Sequence, residues 1–159
     1  MTLTETILPR AAGKSSVSAG DNIWVNADVL MTHDVCGPGT IGVFKREFGK
    51  TAKVWDRKKV VIIPDHYIFT SDSKSNRNVD ILREFVREQD LPYFYDVIDD
   101  PNGAWKFDAS KGLLKRQYGS NYAGVCHAAL PQKGHTRPGE ILFGTDSHTC
   151  MAGAFNQFA

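Results

Sequence analysis

Lys59-Val60-Val61-Ile62-Ile63 is an apolar run of strand length, rich in β-branched residues and closed by Pro64. A strand made from such a run has no polar face, so both of its sides must be covered. That is the situation of an inner strand in a parallel sheet with helices packed above and below. Asp65-His66 follows at once, so the same run delivers a carboxylate and an imidazole to one end of the sheet.

The rest of the chain alternates in a way that suits this architecture. Thr4 caps a short expected helix through about Ala12, weakened by Pro9, which lacks a backbone donor. Ile23 to Val29 reads as a strand, Cys36 to Thr40 as a turn, and Ile41 to Phe48 as a helix ended by Gly49. From Ser75 to Gln89, Val79, Leu82, Phe85 and Val86 recur at helical spacing, with Arg83, Glu84, Arg87 and Glu88 opposite. Pro92 to Val97 reads as a short aromatic strand and residues 99–123 as a long surface excursion. Val125 to Leu130 begins a helix, Glu140 to Gly144 is a strand, and Thr149 onward is helical. The pattern predicts an α/β fold with helical layers on both faces of the sheet. Ligands in such sheets gather at the carboxyl ends of the strands.

The 159 residues amount to about one domain, and 42% hydrophobic with 23% charged residues suits a packed core. A net charge of +1 gives no reason to expect nucleic acid or an anionic membrane as partner. No apolar run approaches the roughly 20 residues of a membrane span, and Met1 to Gly20 has no apolar signal core. Cys36, Cys126 and Cys150 are odd in number, widely spaced and form no C-x-x-C. That usage points to a reducing compartment, with the cytoplasm as the expected location.

Three of the five histidines lie within two residues of an aspartate: His33-Asp34, Asp65-His66 and Asp146-Ser147-His148. Imidazole titrates near neutrality, and an adjacent carboxylate can orient the ring and tune it as an acid or base. For Asp65-His66 the alternative is a strand-end cap with the imidazole filling space. Gly144-Thr145-Asp146-Ser147-His148-Thr149 carries more polar chemistry than the N-cap that would be its plain reading. His33-Asp34 alone reads as a surface turn, His127 as a packing residue on a helix, and His135 as exposed and idle. Ser147 with its neighbours does not suggest a hydrolase triad, because adjacent residues rarely converge and no G-x-S-x-G is present. A mononuclear metal site built from His33, His66, His127 and His148 is a lesser alternative.

Taken together, the motifs resemble the aconitase family, and within it the isopropylmalate dehydratase large-subunit branch. The segments concerned are Val25 to Val29 running into Thr32-His33-Asp34-Val35, then Val61 to His66. Gly124-Val125-Cys126-His127 and Pro138-Gly139-Glu140 follow, leading to Gly144 through Cys150. The resemblance covers essentially the whole chain in family order. It implies a three-layer α/β/α aconitase-type domain and a hydro-lyase with a 4Fe–4S cluster. That enzyme would isomerise 2-isopropylmalate by dehydration and rehydration, a step of leucine biosynthesis, in a heterodimer with a small subunit. One iron without a cysteine ligand would act as a Lewis acid on the substrate. By the same resemblance His66, oriented by Asp65, protonates the departing hydroxyl. Asp146 pairs with His127, Ser147 bonds a substrate carboxylate, His148 joins their network, and His33 sits near cluster and substrate.

The family's cluster cysteines find no match in Cys36, Cys126 or Cys150, so the resemblance assigns no metal ligand here and places the ligands beyond Ala159. Residues 1–159 are accordingly expected to be the N-terminal part of the catalytic region, incomplete at its C-terminus and inactive alone. Cys36-Gly37 and the 99–123 excursion resemble the plant-type subgroup, which makes the plastid an alternative location. Homoaconitase, a related hydratase acting on another 2-hydroxy diacid, or a non-catalytic truncated product remain the competing expectations.

Overall fold

The computed structural model describes residues 2–68, 70, 72–98, 105–108, 110, 113–116 and 120–159. Its strands are β1 (Val29–Thr32), β2 (Val60–Ile62), β3 (Tyr93–Phe94), β4 (Trp105–Asp108), β5 (Leu113–Arg116) and β6 (Leu142–Gly144). Its α-helices are α1 (Leu3–Ala12), α2 (Gly37–Phe48), α3 (Ser73–Gln89) and α4 (Cys126–Gln132). Four strands make one sheet in the order β3-β2-β1-β6, with every neighbouring pair parallel. Parallel neighbours need crossover connections, which α2 and α3 supply.

The apolar run behaves as an inner strand. Val60 and Ile62 pack with Ile41 of α2 and with Leu82 and Phe85 of α3. Val61 and Ile63 point the other way, into Met31, Leu142, Ala129 and Leu130. Strand alternation thus divides one hydrophobic run between two cores, and Ile62 and Ile63 are both 0% exposed. Burying each such side chain contributes about 1.5–3 kcal/mol. The result is the expected three-layer α/β/α arrangement.

At the amino end of the sheet, Thr2 and Glu5 form a capping box on α1. Arg10 of α1 bonds Asp28 at 2.7 Å and the Gly139 carbonyl at 2.7 Å. Asp28 also accepts from the Ile141 amide at 2.8 Å, so one carboxylate ties α1 to the start of both β1 and β6.

Several boundaries differ from expectation for local reasons. Thr2, not Thr4, caps α1. Residues 23–27 lie outside the sheet: Trp24 is 93% exposed, Val25 packs against α1, and the Asn26 amide bonds the Ala11 carbonyl at 2.9 Å. Gly37 to Thr40 form the first turn of α2 instead of a loop, with Pro38 at a position that needs no amide donor. Asp72 caps α3, which begins at Ser73. Within 99–123, β4 and β5 pair antiparallel; residues 99–104, 109, 111–112 and 117–119 of that excursion lie outside the described residues. Thr149–Phe155 winds as a 3-10 helix, ended by Asn156 in the left-handed region (φ 58°), after which Phe158 bridges to Ile141. No helix among the described residues is long and apolar enough to cross a membrane.

Gly144 marks where the sheet gives way to the site. A Cβ there would lie 2.2 Å from Oγ1 and 2.6 Å from Cγ2 of the buried Thr149. Gly144→Ala is therefore expected to lower stability by about 1–3 kcal/mol, through overpacking against a β-branched neighbour. A urea midpoint equal to that of the parent protein would show that Thr149 moves aside freely.

Candidate active site

The connections β1-α2-β2-α3-β3 run to one side of β1, whereas β6 lies on its other side. The chain reverses direction between β1 and β6, and their carboxyl ends flank the crevice in which ligands of open α/β sheets bind. Thr32 Oγ1 and Thr145 Oγ1 meet across it at 2.9 Å. His33-Asp34 follows β1, Asp65-His66 follows β2, and Asp146-Ser147-His148 follows β6. His127 enters from the first turn of α4. The fold therefore brings all seven candidate residues, His33, Asp65, His66, His127, Asp146, Ser147 and His148, to one end of the sheet.

Asp65 and His66 form a dyad: Nδ1 of the ring lies 2.5 Å from Asp65 Oδ1. The other oxygen, Oδ2, accepts the Cys126 amide at 2.7 Å, so Asp65 also holds the start of α4. With Nδ1 turned to the carboxylate, Nε2 is the atom of His66 left to exchange protons, and it faces Asp146 Oδ2 at 3.9 Å. The His66 ring stacks on that of His33, with centroids 4.3 Å apart and planes 19° from parallel.

Asp146 is the centre of the second cluster. Its Oδ1 bonds His127 Nε2 at 2.7 Å and accepts the His148 amide at 2.7 Å. Burial alone would raise this carboxyl, but the His148 amide and the His127 ring outweigh it and hold the group at about 2. Asp146 is thus a fixed negative charge at neutral pH. His148 itself is 75% exposed and its Nδ1 lies 3.0 Å from Ser147 Oγ. Ser147 is exposed too, which leaves both free to meet a ligand arriving from solvent.

His33 is the buried member, only 1% exposed. The Val35 amide donates to its Nδ1 at 3.3 Å, which puts the ring proton on Nε2. That Nε2 has no hydrogen-bond partner among the described residues, and Asp146 Oδ2 stands 3.5 Å away. Burial, followed by the neighbouring His66, lowers the His33 pKa. A neutral His33 thus keeps an unsatisfied buried donor beside Asp146 Oδ2.

Two groupings have ligand atoms within metal-binding reach, His33-Asp34-Asp65-His66 and His127-Asp146-His148. At the first, the Val35 amide engages His33 Nδ1 and Asp65 engages His66 Nδ1, an arrangement that suits proton transfer at the remaining Nε2 atoms. No cysteine belongs to either grouping. Cys126 is buried with its thiol pushed up by desolvation and by Asp65, while Cys36 opens α2 and Cys150 is exposed on the 3-10 helix. Cluster irons are held chiefly by cysteine thiolates, and Cys126, the cysteine bonded to the site through Asp65, is buried with a thiol that resists ionisation and so does not suit that task.

Sequence reasoning missed two groups. Asp34 is no surface turn residue but is 0% exposed. His135 is buried, not idle at the surface: its Nε2 meets Tyr95 Oη at 2.7 Å. Its only sequence signal was Tyr93 and Tyr95 in the expected aromatic strand, whose rings now flank it.

His33 and His135 are both shifted down from 6.5, by burial first in each case. The unfolded chain therefore binds more protons than the native one below about pH 6.5, and stability falls as pH drops through that point towards the lower native values. The expected slope reaches about 1.4 kcal/mol per pH unit for each histidine. Urea midpoints should thus decline from pH 7.5 to 5, and His135→Gln should flatten the decline. An unchanged midpoint across that range would contradict the neutral burial of these rings.

An acid–base cluster at the switch point of a parallel α/β sheet defines a class of proton-transferring sites. The chain belongs to the aconitase family: residues 5–159 match the model described as the aconitase family (aconitate hydratase). It is 64% identical over 159 residues to the chloroplastic 3-isopropylmalate dehydratase large subunit of Arabidopsis thaliana, covering 100% of this chain and 29% of that protein. A probable 3-isopropylmalate dehydratase large subunit of Methanothermobacter thermautotrophicus is 41% identical, covering 100% of this chain and 32% of that protein. A probable methanogen homoaconitase large subunit of the same organism is 35% identical, again over 100% and 32%. The chain spans about a third of the length of these relatives.

Proposed function

We propose that this chain forms part of an iron–sulfur hydro-lyase that isomerises 2-isopropylmalate to 3-isopropylmalate, working with a small subunit. The observation that carries the reading is the Asp65–His66 dyad at 2.5 Å facing the His127-paired Asp146, in a chain 64% identical to a large subunit of that dehydratase. Hydroxide leaves poorly, so dehydration needs a positioned acid. His66 supplies it: Asp65 holds Nδ1, and the protonated Nε2 donates to the departing hydroxyl. On rehydration the same ring takes the proton back. Asp146 stays charged and fixes His127, while His33 Nε2 and Ser147 Oγ bond substrate oxygens and His148 steadies Ser147. The 4Fe–4S cluster belongs on cysteines other than Cys36, Cys126 and Cys150, the carbon-bound proton lost with the hydroxyl goes to a base other than these residues, and this chain's own contribution is the acid half of the site.

The full-length protein, assembled with its small subunit and loaded with cluster, should form isopropylmaleate, followed by its ultraviolet absorbance. No absorbance change from a fully loaded assembly would defeat the proposal. The 35% identity to a homoaconitase large subunit supports a second reading, a different 2-hydroxy diacid, which a substrate panel distinguishes by relative kcat/KM. The similarity to a chloroplastic plant protein favours a plastid over the cytoplasm.

A further inference from the structure

Asp34 is a fully buried carboxylate that takes no part in the chemistry proposed above. Its Oδ1 accepts the amides of Asp65 at 3.0 Å and His66 at 3.1 Å, and its Oδ2 accepts the Tyr67 amide at 2.6 Å. One side chain at the end of β1 thus gathers three successive amides at the end of β2. The backbone ladder between the strands ends just before, where the Ile63 amide bonds the Thr32 carbonyl at 3.1 Å, and Pro64 has no amide with which to continue it. Asp34 takes over where the ladder stops. It is itself fixed from a third element, since Asn78 Nδ2 of α3 donates to the Asp34 carbonyl at 2.9 Å.

From this geometry we infer that Asp34 is a positioning residue that sets the place and direction of the Asp65–His66 dyad. The inference rests on the proposed role of His66. His33 and Asp34, adjacent in sequence, grip the dyad in two ways: one stacks on the His66 ring and the other holds its backbone. Both oxygens of Asp34 are engaged as acceptors, so an amide side chain cannot replace it. In Asp34→Asn one oxygen becomes an NH2 group facing an amide N–H, and at least one of the three bonds is lost. The turn then relaxes and His66 Nε2 leaves its position opposite Asp146. Misplacing a reacting group by about 1 Å costs roughly 10²-fold in rate.

The test uses the assembled enzyme carrying Asp34→Asn, with Asn78→Ala as the milder companion that loosens Asp34 through its carbonyl. Steady-state kinetics are combined with ring signals of selectively labelled histidines. The expected result is a fall in kcat of about 10- to 100-fold with KM changed less than about threefold, accompanied by displaced His66 signals as the stack on His33 opens. Asn78→Ala should show the same changes in smaller measure, and it decides alone if Asp34→Asn does not fold. Unaltered His66 signals in the folded variants, with activity lost only in proportion to unfolded protein, would overturn the inference and leave Asp34 a purely structural residue. If the parent assembly does not dehydrate isopropylmalate, the substrate reading fails, yet the His66 signals still decide the role of Asp34.

Discussion

Replacing His66 with asparagine in the assembled enzyme is expected to lower kcat by about 10²–10⁴-fold, the usual contribution of a positioned general acid. The melting temperature should change by no more than a few degrees, because His66 lies at the surface end of the crevice and fills no core. Asparagine keeps a polar group beside Asp65 Oδ1, so the hold of Asp65 on the Cys126 amide survives. A proton donor of ordinary pKa added to the buffer should recover part of the lost rate in this variant alone. A variant with kcat within threefold of the parent would remove His66 from the chemistry.

Asp146→Ala should be as damaging to activity and far more damaging to the fold. It strips a bond from His127 Nε2, the partner of the His148 amide, and the charge facing His33 and His66. The expected loss of stability is on the order of 3 kcal/mol, as for other charged hydrogen-bonded groups of this kind. A pH signature separates this from general damage. The native carboxyl titrates at about 2, below its ordinary 3.8, so its stabilising contribution is complete above about pH 4 and is lost as pH falls towards 2. The parent should therefore weaken across that window more steeply than Asp146→Ala. Parallel curves for the two proteins would contradict the depressed titration.

How much of this could be read from the sequence depended on how local its cause was. Val60 to Ile63 declared themselves, since an all-apolar strand has one stable setting. The periodic Val79, Leu82 and Phe85 placed α3 to within two residues of its start. Ile23 to Val29 misled because only Val29 joins the sheet, while Val25 packs against α1 and Trp24 faces solvent, and nothing in that segment distinguishes these uses. The carboxyl-end placement of Asp65-His66 and Asp146 followed from the strands before them. Their mutual approach did not: His127 and Asp146 meet only because α4 and β6 converge, and the resemblance to a known family, not spacing, paired them. Asp34 was missed for the same reason. Its three acceptor bonds reach segments more than thirty residues away, and a His-Asp pair after a strand looks no different when its carboxylate faces water.

The sheet order carries a consequence for how the site comes into being. β1, β2 and β3 join through short crossovers and can assemble as the chain grows, bringing Asp34, Asp65 and His66 together early. β6 must travel back past them to the far side of β1, and the Thr32–Thr145 contact closes a separation of 113 residues. Contacts of such high order carry the largest closure entropy and form late. The Asp65–His66 dyad is therefore assembled before Asp146 arrives to complete the crevice, so a nascent chain short of β6 holds half of the proposed site and one unpaired edge of β1. In vivo, that edge is where a chaperone, or a second nascent chain, has its opportunity.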